Sequence, residues 1–463
     1  MLTTIKNFFF LFRDKNFKNT EKYYNALKVV LLGASFFFII ASYSTLRPLK
    51  TSVFFALVGK EYAPIAKMIS ILILFPIMLP YSKLVDKLRQ SQVIYFFLGL
   101  YAILCIIFAF FFWHPTIGLS NTNTSTYRII GWVFYLALDL FSTLVVSTFW
   151  AFANSISTPN NAKENYGIIV AISRVGGIIS PIISWLLMQK LTQKETLSIP
   201  VLMVLMSLFL LLACFFISRI IKKIPHKLLH GYEAAYKIEK QQKKVKVGLF
   251  QGLKLMITQP YVFGIFGIIC SYELISIILD YQMQVLMSVA NNNTVLGMSS
   301  FMLLYTAAFQ GLGFIFALFG TSSLLKLIGV RKCLFIMPIS IIVLMLMLLT
   351  YPNITTIFII MVVLRALNYG FNAPVKEILY IPTTKDVKFK SKAWIESFGR
   401  SLSKTSGSTF NWLAQFKDTV SVIRLDSLYA IGISAVWLII SFFVGKKYDK
   451  VIKNNTVIGQ EDL

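Results

Sequence analysis

Charged residues are scarce in this sequence, and acidic residues are the scarcest of them. Only 14% of the 463 residues are Asp, Glu, Lys or Arg, whereas 57% are hydrophobic, and the mean hydropathy is +0.71. Soluble domains carry about a quarter charged residues, so the composition excludes that class and predicts an integral membrane protein. Lys and Arg outnumber Asp and Glu by 45 to 19. In so apolar a chain this excess fits basic cytoplasmic loops and a cavity for an anion, and not nucleic-acid binding.

The side chains that build catalytic and metal sites are also few. The chain has three histidines, all in or near predicted loops, and four cysteines that lie far apart in apolar runs: His114, His226, His230, Cys105, Cys214, Cys270 and Cys333. No CxxC, HExxH, Walker-type GxxxxGK[ST] or Ser/His/Asp arrangement occurs. The cysteines are predicted to be packed thiols. The sequence therefore predicts no metal site, no cofactor and no enzymatic activity.

Long apolar runs dominate what is present. A helix needs about 20 mostly apolar residues to cross a bilayer. Twelve such spans are predicted, at 28–49, 62–81, 92–113, 129–152, 166–189, 199–220, 258–282, 296–320, 332–351, 353–380, 393–415 and 427–445. The N-terminal segment has only the short apolar patch FFFLF and no small-residue cleavage site, so it is not interpreted as a signal peptide.

The spans divide into two sets of six. A basic linker at 221–257 separates a predicted N-terminal bundle, 28–220, from a C-terminal bundle, 258–445, with an N-terminal segment at 1–27 and a tail at 446–463. This six-plus-six pattern predicts an all-α, major-facilitator-like transporter whose two halves enclose a midplane site. Span count alone leaves a channel or a membrane enzyme open.

The distribution of Lys and Arg predicts the orientation. The loops on the side of both termini hold most of these residues, whereas 283–295 and 351–353 hold none. The positive-inside rule therefore places both termini and the central linker in the cytoplasm of a cell with this protein in its cytoplasmic membrane. The lysines at 385, 388, 390 and 392 then belong to the cytoplasmic loop between spans ten and eleven.

Several charged side chains lie inside predicted spans, where each costs at least about 2.5–3.5 kcal/mol and usually faces a cavity. The candidate cavity residues, with the polar Asn372, are Arg47, Lys50, Asp139, Arg174, Glu273, Asp280, Arg365, Asn372, Lys376, Glu377, Arg400 and Lys404, and Glu396 is a further acid inside a span. A basic majority favours phosphate-rich anions, because Lys and Arg form charge-assisted hydrogen bonds with phosphate oxygens. The simpler alternatives are snorkelling for Arg400 and Lys404, and a local Lys376–Glu377 pair at a helix end.

Asp139 is the hardest of these charges to explain without a function. It lies in the middle of span four, and its side chain is too short to snorkel, so we expect it to pair with Lys50 or Arg174 or to stay protonated. Glu273 and Asp280 lie seven residues apart on one helix face. They predict either a proton relay or acidic partners for cavity arginines. Nearby aromatic side chains could stack on a nucleotide base, but in a chain that is 15% aromatic they are interpreted mainly as lipid-facing.

Four stretches resemble the bacterial and plastidic ATP/ADP translocase family. They are TLRPLKTSVFF at 45–55, ALDLFSTLVVSTFWAFAN at 137–154, SYELISIILDYQMQ at 271–284, and the KExxYIP core with its lysine-rich loop in PVKEILYIPTTKDVKFKSKAWIESFG at 374–399. The resemblance runs from the first span to about residue 415. It implies an exchanger that imports ATP against ADP, with phosphate as a further substrate, by alternating access. We also expect the protein to be a monomer.

The resemblance also implies which residues act on the substrate. Two lysines and two acidic residues that are important in the family map onto Lys50, Lys376, Asp139 and Asp280. The sequence departs from the family at two of its positions. Asp139 stands where Glu is usual, and Gln284 stands where a basic residue usually follows the acid of the seventh helix. The identity of the transported nucleotide therefore cannot simply be carried over.

Two other functions remain open at this point. One is a proton-coupled importer of nucleotides or another phosphorylated anion, with Glu273 and Asp280 as titrating groups. The other is a membrane scaffold or receptor without transport activity that uses the basic 221–254 loop to bind acidic lipid or a partner. Charged residues within the spans of both halves argue against the scaffold.

Overall fold

The computed structural model describes residues 20–157, 159–191, 195–225, 228–229, 251–316, 321–384, 387, 391–414, 419–454 and 456–458. The long helices of these residues are α1 (Glu21–Leu57), α2 (Ala63–Lys87), α3 (Gln90–Trp113), α4 (Ile129–Ser155), α5 (Pro159–Lys190), α6 (Glu195–Lys223), α7 (Pro260–Ala290), α8 (Val295–Ile315), α9 (Thr321–Thr350), α10 (Ile354–Ile378), α11 (392–414) and α12 (Thr419–Lys453). Shorter helices cover Lys60–Tyr62 and Gln251–Thr258.

Ten of these helices are long and apolar enough to cross a membrane. The other two, α2 and α11, lie where the sequence predicts spans two and eleven, so the predicted all-α membrane fold is confirmed and the count of twelve is consistent with it. α11 carries a charged side chain at every fourth position from 392 to 404. This spacing places the four charges along one helix face.

The helices extend beyond the predicted spans at both ends of the chain. α1 begins at Glu21, seven residues before the predicted start, and Thr20 caps it by accepting a hydrogen bond from the Tyr23 amide. α12 covers Thr419–Lys453 where the sequence predicts 427–445. Hydropathy detects only the part of a helix that matches the hydrocarbon layer, and the polar turns at either end escape it.

The chain divides into two compact units. The first contains α1, α3 to α6, the part of α2 from Ile73 and the stretch Met302–Ala307 of α8. The second contains Gly59–Leu72, α7, the rest of α8 and α9 to α12. Of the predicted domain segments, 1–19 and most of the linker lie outside the described residues, as do Lys385, Lys388 and Lys390.

Each unit packs its helices in the same pattern. α1 contacts α4, α5 and α6 in the first unit, and α7 contacts α10, α11 and α12 in the second; α3 packs on α6 as α9 packs on α12. Glycine permits the closest approaches: a Cβ at Gly176 would lie 2.5 Å from the Phe37 carbonyl oxygen, and one at Gly407 would lie 3.0 Å from Ile277. Small residues at such contacts are typical of helix packing in membranes.

In the described part of the chain, α11 contains a π-helical segment, Ile395–Gly399, and so do two of the ten helices that are long and apolar enough to cross a membrane. Ser142–Val146 is π-helical within α4, and Asn368–Asn372 is π-helical within α10. Such segments leave backbone groups without their regular partner and are frequent at functional sites. The segments of α4 and α10 lie in equivalent helices of the two units.

Candidate functional site

The first unit holds a buried ion pair between α1 and α4. Lys50 Nζ lies 2.5 Å from Asp139 Oδ1, and the two side chains are only 9% and 17% exposed. The Lys50 ammonium also lies 4.3 Å from the ring centre of Tyr135, one turn before Asp139. The expected pairing of Asp139 with a basic residue is therefore confirmed, and Lys50 is that residue.

The backbone around this pair is irregular on both helices. Pro48 lies inside α1 two residues before Lys50 and removes one helical N–H donor. In α4 the regular helix ends at Asp139 and the π-helical segment begins three residues later. Both partners of the pair are thus placed by helix segments whose backbone hydrogen bonding is interrupted.

The second unit holds a corresponding pair between α7 and α10. Arg365 Nη2 lies 3.2 Å from Asp280 Oδ1, and these side chains are 9% and 18% exposed. Gln284 donates a hydrogen bond of 3.4 Å to the other oxygen, Asp280 Oδ2. The amide at this departure from the family pattern therefore contacts the acid directly.

Polar side chains continue along α10 beyond Arg365. The π-helical segment begins three residues after Arg365, and within it Asn372 donates to Asn368 Oδ1 at 3.0 Å. Lys376 follows one turn later, is buried at 8% exposure and lies 5.6 Å from the ring centre of Tyr272 on α7. Within the described part of the chain, no carboxylate lies within ion-pair distance of Lys376.

Lys376 and Glu377 do not form the local pair that the sequence left open. Glu377 points outwards and pairs instead with Lys392 at the start of α11, at 2.6 Å, with the two side chains 58% and 31% exposed. Consecutive residues of a helix lie about 100° apart, so one faces the interior and the other the surface. Residues adjacent in sequence therefore have different environments.

Arg400 on α11 joins two acidic residues. Its side chain lies 2.6 Å from Glu396, one turn earlier, and 3.6 Å from Glu273 on α7. These three residues and Glu377 are the charged groups that act electrostatically on Lys376. The interpretation of Glu273 and Asp280 as partners of arginines is confirmed, because each contacts one.

A family model described as TLC ATP/ADP transporter matches residues 12–448. The chain belongs to the TLC ATP/ADP transporter family. It is therefore a transporter and not an enzyme, as the sequence motifs predicted.

Relatives of this family have similar length. The ADP,ATP carrier protein 1 of Rickettsia prowazekii (strain Madrid E) is 25% identical over 486 residues, which cover 94% of this chain and 96% of the relative. The ADP,ATP carrier protein 3 of the same organism is 23% identical over 429 residues, with 80% and 83% covered.

Solved structures share the fold. A bacterial homologue of the iron transporter ferroportin in its inward-facing state has a TM-score of 0.59 at 14% identity, covering 93% of this chain and 99% of that one. A nucleoside transporter also reaches 0.59 at 14% identity, with 90% and 99% covered. At these identities the likeness shows the major-facilitator-like fold alone.

The remaining candidates of this TLC family member have less defined surroundings. Arg47 lies one turn before Lys50 on α1, Arg174 is on α5, and Lys404 is on α11; each side chain is half-buried. The structure therefore groups the candidates into two ion pairs, one in each unit, and one acidic and basic cluster around Lys376.

Sequence reasoning missed two kinds of site residue. The interpretation of the aromatic residues as lipid-facing is wrong for Tyr135 and Tyr272, which are 6% and 4% exposed and contact Lys50 and Lys376. Their proximity to charged residues of the site would have been the signal, because Tyr135 lies one turn before Asp139 and Tyr272 directly precedes Glu273. Asp426 was also missed, because the predicted span twelve began one residue after it.

Proposed function

We propose that this protein imports ATP in exchange for ADP by alternating access, and that Lys376 and Lys50 bind the phosphate groups. Membership of the TLC ATP/ADP transporter family and the names of the Rickettsia relatives, ADP,ATP carrier proteins, support ATP and ADP as substrates. The remaining substrate residues of the proposal are Asp139 and Asp280, and phosphate is a further substrate. The proposed transporter is a monomer.

One observation carries the phosphate assignment: Lys376 is buried but has no ion-pair partner among the described residues. An ammonium group without a counter-ion is costly to bury, and a phosphate oxygen supplies the missing charge. The Tyr272 ring beneath it offers only a partial substitute, because a cation–π contact is weaker than a charge-assisted hydrogen bond. Lys376 is thus a cation available for an anionic substrate.

Lys50 has a different role in this proposal. Its ammonium is already neutralised by Asp139 at 2.5 Å. A phosphate that binds Lys50 must therefore compete with the Asp139 carboxylate, and release of the phosphate is assisted when the carboxylate returns. An acid beside a substrate-binding cation in this way favours turnover over tight binding.

The proposal is tested with purified protein in liposomes. Uptake of labelled ATP is measured into vesicles loaded with ADP, with AMP or with buffer alone. We expect ADP to accelerate ATP entry, and a protonophore to have little direct effect. Uptake that ignores internal nucleotide but collapses with the proton gradient would establish the proton-coupled importer instead.

Lys376→Ala tests the residue assignment in the same vesicles. We expect ATP uptake to fall by at least about 100-fold, which corresponds to loss of a charged hydrogen-bonded contact in a buried site. Lys447→Ala, which removes an exposed lysine near the end of α12, is the matched control and should leave uptake unchanged. Near-normal uptake by Lys376→Ala removes this lysine from the site.

We also propose that both termini lie in the cytoplasm, in a cytoplasmic membrane, with the 221–257 linker between the two bundles. The last turn of α6 contains Lys222 and Lys223, and that of α12 contains Lys450 and Lys453, as the positive-inside rule requires. Reporter fusions after residues 223 and 453 test this: a reporter active only in the cytoplasm should be active at both positions.

A further inference from the structure

Asp426 is a buried acid that the ion pairs described above do not use. It lies on α12 inside the membrane-spanning stretch Ser421–Lys453, and only 1% of its surface is exposed. Its Oδ1 atom is buried and has no hydrogen-bond partner, and no Lys or Arg of the described residues is within ion-pair distance. Because it is the eighth residue of α12, it is too far along the helix to cap the N-terminus.

The other acidic residues singled out inside the membrane have basic partners. Asp139 pairs with Lys50, Asp280 with Arg365, and Glu273 with Arg400. An ionised carboxylate in the surroundings of Asp426 would be uncompensated, which is among the costliest arrangements in a protein interior. A proton on the carboxyl group removes that charge.

We propose that Asp426 is a proton-binding site, protonated while α12 packs against α7 and α9, and that it releases the proton to water when this packing opens. The carboxylate oxygen gains a proton to give the neutral acid and loses it again, with no other bond changed. The titrating group is then Asp426, whereas the proton-coupled importer described above would use Glu273 and Asp280.

Titratable and charged groups near Asp426 lie on α7, on the short helix Lys60–Tyr62 and on α12 itself. From α7, Tyr281 is within electrostatic range, and its hydroxyl donates a hydrogen bond to the Lys60 carbonyl at 3.3 Å. Glu61, beside that carbonyl, acts on the same tyrosine and is itself exposed. On α9 the second half, 338–350, contains no titratable side chain. Arg424, on α12 itself, is exposed.

The rest of this face of α12 is also polar. Ser427, Ser434 and Ser441 recur every seven residues and are fully buried, which suits close packing against α9, and Ser441 contacts the Leu334 carbonyl there. Packing of small residues explains these serines. The hydroxyls of Ser427 and Ser434, like Asp426 Oδ1, have no hydrogen-bond partner among the described residues. Asp426 differs from them because it is larger and ionisable, and such a group requires its own account.

The first test is direct and independent of transport. Infrared spectra of the purified full-length protein in D2O, without nucleotide, are recorded at neutral pH for the wild type and for Asp426→Asn. We expect a protonated-carboxyl carbonyl band in the wild type that is absent from the Asn variant and retained in Asp426→Glu. Arg424→Gln, two residues away, should keep the band. A wild type without a band that depends on residue 426 overturns the proposal.

The second test measures transport and rests on the proposed ATP/ADP exchange. Raising the pH from about 6 to about 9 should slow wild-type exchange by at least about threefold, because deprotonation places an unpaired charge in the buried position. Asp426→Asn stays neutral, so its rate relative to wild type should rise over the same range. The exchange rate of Asp426→Asn is divided by that of the wild type at each pH. This ratio cancels the effect of nucleotide titration, which is the same for both proteins.

The outcomes separate the two proposals. An Asp426-dependent band with no ATP exchange by the wild type supports the proton site and contradicts the proposed function. ATP exchange without such a band supports the function and overturns the proton site. If the infrared band is present but the exchange rate of Asp426→Asn relative to wild type does not change with pH, then Asp426 binds a proton but does not release it during transport, which overturns the release step.

Discussion

Among the residues that the structure describes, each unit contains a buried ion pair between equivalent helices, but the two pairs have opposite polarity. In the first unit the cation, Lys50, is on the first helix and the acid, Asp139, is on the fourth. In the second unit the acid, Asp280, is on the first helix and the cation, Arg365, is on the fourth. In each fourth helix, a π-helical segment begins three residues after the paired residue.

This comparison separates what the fold requires from what the substrate requires. The position of the pair and of the π-helical segment is repeated, so these features belong to the architecture of a six-helix unit. The sign of each partner is not repeated. Each pair is neutral, and the second unit adds Lys376, a buried lysine without an ion-pair partner among the described residues. Buried Lys28 of the first unit also has no ion-pair partner among them, but its ammonium donates hydrogen bonds to the carbonyl oxygens of Ile156 and Leu228. We infer that anion selectivity depends on Lys376 and on how easily each pair opens.

The largest effect is expected where a pair loses its cation. Lys50→Ala leaves Asp139 buried without a partner, and breaking a buried pair in this way costs about 3–5 kcal/mol. We expect ATP uptake, normalised to the amount of inserted protein, to fall by at least about 100-fold. Lys50→Arg keeps the charge and should retain part of the activity. Uptake by Lys50→Ala close to that of the wild type would remove this pair from the transport site.

The polarity itself is tested by reversing the first pair. The double variant Lys50→Asp with Asp139→Lys gives the first unit the polarity of the second. We expect the reversed pair to restore insertion and thermal stability relative to either single variant, because both charges are again compensated. Uptake should stay at least about tenfold below wild type, since the phosphate-binding cation has moved to α4. Full recovery of uptake would show that only neutrality matters.

How much of this arrangement was predictable differs from residue to residue. Asp139 was predicted because a short charged side chain in the middle of an apolar run has few explanations, and Lys50 was predicted from its charge and from the resemblance of TLRPLKTSVFF to the family motif. Their distance was not predictable, because no pattern in one sequence states which of several cations an acid will contact. The π-helical segments left no hydropathy signal. Asp426 was missed because it lies one residue before the predicted start of span twelve, and hydropathy places such boundaries only to within several residues.

Asp139→Asn should have an intermediate effect. The amide is close in shape to the acid but leaves Lys50 without a charged partner, so phosphate is held more tightly and released more slowly. We expect turnover to fall by about five- to tenfold with an unchanged or lower apparent KM, a pattern that indicates slower release and not weaker binding. Asp139→Glu, the residue usual in the family, should keep most of the activity. Wild-type turnover in Asp139→Asn would contradict the role of the pair.

The smallest effect is expected at the exposed pair between Lys392 and Glu377. Its two side chains are 31% and 58% exposed, compared with 9% and 17% for Lys50 and Asp139, although the distances are nearly the same, 2.6 and 2.5 Å. Exposed ion pairs contribute about 0–1 kcal/mol, because water already solvates both charges and salt screens them.

Lys392→Ala should therefore lower uptake by less than about twofold and shift the melting temperature little. Glu377→Gln removes the other charge of the same pair and should lower uptake to the same extent as Lys392→Ala, within experimental error. Because Lys392 also lies 5.3 Å from the ring centre of Tyr380, Lys392→Arg is the control that keeps both contacts. A loss as large as that of Lys50→Ala would mean that burial does not decide which charges transport depends on. The exposed lysine would then be part of the substrate path.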